Sequence, residues 1–135
     1  MSRDIKFRGL GMNNKWEIGG YFKHTEENGV VHCIYTWETG ALPVHKDTIG
    51  QFTGLKDKNG VDIYEGDIIN SGTGEILWSD IDCMFKVKWH GEIFKRVRGQ
   101  NEKYTLNGEP LFMNAHIAWQ VIGNIHENSE LLCQD

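Results

Sequence analysis

Apolar and polar positions alternate in short runs along this chain, and they almost never recur at helical spacing. Phe85, Val87 and Trp89 alternate with Lys86, Lys88 and His90. That period of two predicts a strand with one buried face and one wet, basic face. Residues 21–25 and 30–35 flank Asn28-Gly29, residues 49–55 and 61–63 flank Asn59-Gly60, and residues 104–106 and 109–112 flank Asn107-Gly108. Asn and Gly accept positive φ at the lowest cost, so each of these dipeptides predicts a hairpin. His90-Gly91, between residues 84–89 and 93–98, predicts a fourth turn, and Ser71-Gly-Thr-Gly74 a fifth. Helix signals are scarce. Asn128 can cap a last turn through Glu130, Leu131 and Leu132, and residues 114–119 read as a helical turn or as another strand.

Five to nine short strands with a turn every ten or so residues imply an antiparallel sandwich or barrel. The fold class expected is therefore all-β and mainly antiparallel. Residues 1–60 read as an N-terminal β meander, and residues 61–135 as a small SH3-like barrel on which it packs, the two making one compact unit. The second half opens with Ile63-Tyr-Glu-Gly-Asp-Ile-Ile69, in which the glycine turns the chain into a barrel's first strand. Sixteen Gly against two Pro among 135 residues suit tight hairpins better than disorder or long helices. Five Trp, four Tyr and six Phe supply a core. Five Trp exceed what so small an interior easily hides, so one or two are expected to be exposed as part of a protein–protein surface.

The stretch from Thr48 to Ile69, TIGQFTGLKDKNGVDIYEGDII, reads strand, turn, strand, turn, strand. Gly50, Gly54, Asn59, Gly60, Gly66 and Asp67 are its candidate turn residues, with Asp67 accepting backbone N–H bonds. As a word it resembles the central signature of the YopX family, small proteins encoded by phages and prophages of bacteria. The opening Arg3-Asp-Ile-Lys-Phe-Arg8 and the closing Val121-Ile-Gly-Asn-Ile-His-Glu-Asn-Ser-Glu-Leu-Leu132 are similar to that family's two ends. The resemblance implies a phage or prophage accessory protein working inside a bacterial host. It carries over no reaction.

Charge adds a second candidate. The net charge is −5, yet its distribution is uneven. Six acids and no Lys or Arg lie between Val61 and Asp82, and every base of the second half falls between Lys86 and Lys103. Lys86, Lys88, Trp89, Lys95, Arg96 and Arg98 are residue types that meet phosphates and stack bases, which makes them the candidate surface for nucleic acid or an acidic protein. The plainer reading pairs these bases with Asp80 and Asp82 across a hairpin.

Catalytic motifs are missing from the sequence. No HxxxH, CxxC, nucleophile elbow or phosphate loop leading into a helix is present. No metal and no cofactor are expected, and the protein reads as a binder more than as an enzyme. The alternative is a small metal-dependent enzyme acting on nucleotides or nucleic acid, with Asp67 and neighbouring acids as ligands. The three cysteines are far apart and suit reduced thiols. No apolar run approaches the roughly 20 residues of a membrane span, and no apolar signal region opens the chain. A cytoplasmic location is expected, with a host or phage protein as the first choice of partner, nucleic acid as the second, no membrane contact, and self-association into a homo-oligomer.

Overall fold

The computed structural model of the protein describes residues 3–70, 74–90, 109–110 and 119–132. Eleven strands and two 3₁₀ turns make up the regular structure among them, and every named strand pair is antiparallel. The strands form two sheets, and the chain divides into two compact units, Met1–Gly54 and Leu55–Asp135.

The first unit holds β1 (Phe7–Leu10), β2 (Trp16–Glu26), β3 (Gly29–Thr36), β4 (Gly40–Pro43) and most of β5 (Gly50–Lys56). Their order is β4-β3-β2-β1-β5, with β6 (Asp62–Tyr64) beyond β5. The hairpin predicted at Asn28-Gly29 forms with the register Tyr21 to Ile34 and Thr25 to Val30. Its two turn residues are Glu27 and Asn28, one place earlier than the dipeptide, and Gly29 opens β3 at φ +127°. Thr48, in the 3₁₀ turn Lys46–Thr48, ties the unit together. Its hydroxyl accepts the Leu10 N–H at 2.8 Å and donates to the His45 carbonyl at 2.6 Å. Cys33, Ile34, Val44 and Phe52 are buried.

The second unit is organised by β7 (Asp67–Ile69), β8 (Gly74–Ser79), β9 (Met84–Trp89), β10 (Glu109–Pro110) and β11 (Val121–Asn124) in the order β10-β9-β8-β7-β11. This order has two ends, so among the described residues the sheet is open and the expected SH3-like barrel is not confirmed. Ile63, Ile69, Ile76 and Val87 form its core, against half-buried Leu55, Trp89, Trp119 and Val121. At Lys86 and Val87 the second neighbour of β9 is β10. The expected partner at 93–98 lies outside the described residues, as do the turn residues 71–73 and Asn107-Gly108.

Asp57 is the polar centre of this unit, and it is only 2% exposed. One carboxylate oxygen accepts the N–H of Asn59 at 2.8 Å and of Val61 at 2.9 Å; the other accepts the N–H of Val121 at 2.9 Å. The same loop donates the Lys58 N–H to the Trp119 carbonyl at 2.9 Å. Asp57 thus closes the Asn59-Gly60 turn and fastens it to a segment 64 residues away. Burial by itself pushes the carboxyl pKa up. The N–H donors of Val121, Val61 and Asn59, aided by the Lys58 charge, outweigh that and hold it below the ordinary value.

Gly66 is the second fixed point. It takes φ +94° between Glu65 and Asp67, while its N–H reaches the Ile76 carbonyl at 2.8 Å and its carbonyl accepts the Ile125 N–H at 2.9 Å. Asp67, buried, accepts the Tyr64 N–H at 2.8 Å, so the Glu-Gly-Asp turn is as the sequence implied. Strand β11 ends in another side-chain turn. The Asn124 amide oxygen accepts the N–H groups of His126 and Glu127, both at 3.0 Å. The 3₁₀ turn Ser129–Leu132 follows Asn128, whose carbonyl accepts the Leu131 N–H at 2.9 Å and whose side-chain oxygen accepts the Asn124 N–H at 3.2 Å.

Two outcomes are expected from these contacts. Asp57→Ala removes the acceptor of three part-buried N–H donors and should cost about 2–3 kcal/mol, at about 1 kcal/mol per lost bond. Asp57→Asn keeps an acceptor for Asn59 and Val61 but sets a donor against Val121. A carboxylate with a lowered folded pKa stabilises above its unfolded value, about 3.9, and loses that contribution as pH falls through the folded value. The melting-temperature gap between parent and Asp57→Asn should therefore be full at pH 7 and shrink below about pH 4. Gly66→Ala should lose about 1–2 kcal/mol in denaturant titrations through left-handed strain, and Gly66→Asn less.

Candidate functional site

In its described part, residues 84–90, the basic window does not present a continuous wet face. Lys86 is buried, contrary to the expectation from alternation, and its ammonium bonds the Asp82 carboxylate. That bond to Lys86 is the main reason the Asp82 pKa lies below its usual value; the Ser79 hydroxyl adds to it. Trp89 packs edge-to-face on Trp119, with centroids 6.1 Å apart, as part of the core. Lys88 is exposed, directly opposite Glu75, and Glu75 bonds the His90 ring at 3.0 Å. Lys95, Arg96 and Arg98 lie outside the described residues. The pairing of Lys86 with an acid of the neighbouring block is thus seen, within the β8–β9 connection.

The turn residues of the signature stretch are distributed over structural positions. Gly50 is buried opposite Arg8, Gly54 takes φ +89° in β5, and Gly60 follows the Lys58-Asn59 turn at φ +81°. Among the described residues no group of three or more His, Cys, Asp or Glu side chains is placed to hold a metal. Cys33 is buried, and burial, with the Glu26 charge, pushes its thiol pKa up; Cys83 is exposed. No helix among the described residues is long and apolar enough to cross a membrane.

Among the described residues the first unit carries an exposed apolar face. In β2, Ile18 and Phe22 lie four residues apart on one face with Gly20 between them, and Tyr35 of β3 stands directly opposite Gly20. Gly20 offers no side chain, so the Tyr35 ring is not covered and is 46% exposed. Ala41 of β4, opposite Tyr35, and Pro43, opposite Cys33, continue this face and are exposed as well. Trp37 sits one residue past β3, in the turn 37–39, at 91% exposure. A smaller exposed cluster occupies the β8–β9 connection, with Trp78 edge-to-face on Phe85 and Ile81 beside Asp80 and Asp82. The surplus of tryptophan foretold exposed rings; that Trp37 is the most exposed could have been guessed from its place among Thr36, Glu38, Thr39 and Gly40, all turn-compatible residues.

No curated protein matches the chain. Among solved structures it is similar to the crystal structure of protein EF1440 from Enterococcus faecalis, at 25% identity. The match covers 97% of this chain and 99% of that one, with a TM-score of 0.48. The family model described as YopX protein matches residues 6–133, nearly the full length. The chain belongs to the YopX family.

Proposed function

We propose that this is an accessory protein of phage or prophage origin that works in the bacterial cytoplasm by binding a host or phage protein. The observation that carries the reading is the unpartnered aromatic face of β2, β3 and β4, with Ile18, Phe22 and Tyr35 exposed together and Trp37 at 91% beside them. Single exposed apolar residues are ordinary, whereas a contiguous aromatic group on a rigid sheet is the usual make-up of a binding hot spot. Nucleic acid ranks second. Two of its six candidate residues, Lys86 and Trp89, are engaged inside the fold, and Lys88 is the exposed one among those described. The enzymatic alternative centred on Asp67, whose buried carboxylate accepts a backbone N–H. Self-association is compatible with the same aromatic face.

The test is capture from a bacterial lysate by the immobilised protein, compared with Phe22→Ser, Tyr35→Ser, Trp37→Ala. These side chains are exposed, so the triple variant should stay within about 0.5 kcal/mol per site of the parent's stability. Capture of a defined protein by the parent and its loss in the variant is the expected result. Equal capture by a folded variant would remove this face from consideration.

A further inference from the structure

Strand β3 is longer than the strand that covers its outer edge. β4 pairs with Cys33–Thr36, and among the described residues the bond from the Val44 N–H to the His32 carbonyl, 2.9 Å, is the last rung on that side. Among the described residues no strand flanks β3 ahead of it. Antiparallel alternation turns the N–H and C=O of Val30 to the same edge as those of His32, because alternate residues bond to the same neighbour. The first part of β3 therefore presents backbone groups to an open side.

That side is a cavity of about 510 Å³ within the first unit. Met12, Val30 and Val44 give it an apolar wall, while His32, His45 and Lys46 give it polar ends; among the described residues no carboxylate lines it. Asp47 is adjacent in sequence but outside the lining. His32 is held in place. Its Nδ1 lies 2.6 Å from the Tyr21 hydroxyl and the two rings stack with centroids 5.9 Å apart, which leaves Nε2 as the ring's other polar atom. A strand edge, apolar walls and a cationic end in one groove match an extended peptide with acidic side chains better than a free anion, which would use only the cationic end.

We propose that the open edge of β3 takes an extended, acidic segment of a partner protein as an added strand, paired at Val30 and carrying a carboxylate to the His45–Lys46 end. This rests on the reading of the protein as a protein binder. Its groove shares Pro43 with the aromatic face but none of the exposed rings, so substitutions at the rings and at Lys46 test the two surfaces separately.

The test is an amide-resolved NMR titration of the full chain with the peptide Ac-Val-Glu-Val-Asp-Val-NH2. Expected are shifts at Val30, Val31 and His32, and at least tenfold weaker binding after Lys46→Glu. The same peptide N-methylated along one edge should also bind at least tenfold more weakly, a readout independent of any change to the protein. A version with Lys in place of the two acids should not bind. The proposal is overturned if the acidic peptide shifts no amide of this edge, or if neither Lys46→Glu nor N-methylation weakens it. It is equally overturned if phosphate or acetate alone reproduces the shifts at similar affinity, since the site would then be one for small anions.

Discussion

Three backbone N–H groups, from Asn59, Val61 and Val121, converge on the buried carboxylate of Asp57, and the second unit depends on that convergence. Burying a carboxylate costs several kcal/mol unless its oxygens are well supplied with donors. Here the donors are main-chain groups fixed by a turn and a strand, so they need little side-chain ordering. The Val121 bond spans 64 residues and sits beside the Lys58-to-Trp119 bond and the Asn70–Gln120 contacts. Together these place β11 along β7, and they bring Val121 and Trp119 against Ile69 and Trp89. A local turn is thereby made to hold a non-local core.

Much of this architecture was legible from local pattern. Strand β9 falls on residues 84–89 as alternation required, and the first two Asn-Gly dipeptides mark real reversals. Gly66 takes positive φ where the Glu-Gly-Asp word needs a turn. What alternation could not reveal is coverage of the second face. In β7 the consecutive residues Ile68 and Ile69 are both fully buried, so this sheet is covered on both sides there. Lys86 lies on the face that a one-sided sheet would leave wet, and it is buried with its ammonium on Asp82. The role of Asp57 was half legible: Asp-Lys-Asn-Gly has the form of a side-chain-closed turn, but nothing local announces Val121. The short strands β1 and β4 help raise the count among the described residues to eleven, above the five to nine expected, because four residues carry too little pattern to register, whereas β10 falls within the strand expected at 109–112.

The two units use their polar and aromatic side chains differently. The second unit spends its acids and several of its aromatic rings on its own cohesion: Asp57 and Asp67 on backbone donors, Asp82 on Lys86, Trp89 on Trp119. The first unit leaves Ile18, Phe22, Tyr35 and Trp37 exposed, and it leaves the start of β3 without a flanking strand among the described residues. Membership of the YopX family fits a chain whose signature stretch encodes turns. Recognition is then expected on surfaces outside that stretch, which is where the exposed rings and the open edge lie.

The central claim is that Asp57 is an ionised carboxylate whose charge is fully used by main-chain donors. Its side-chain carboxyl can be followed directly by carbon-13 NMR as pH is lowered. A midpoint below the ordinary value of about 3.9, reached together with the first loss of native Val121 and Val61 amide signals, is what the structure requires. A midpoint at or above about 4, with those amides unchanged through it, would contradict the account.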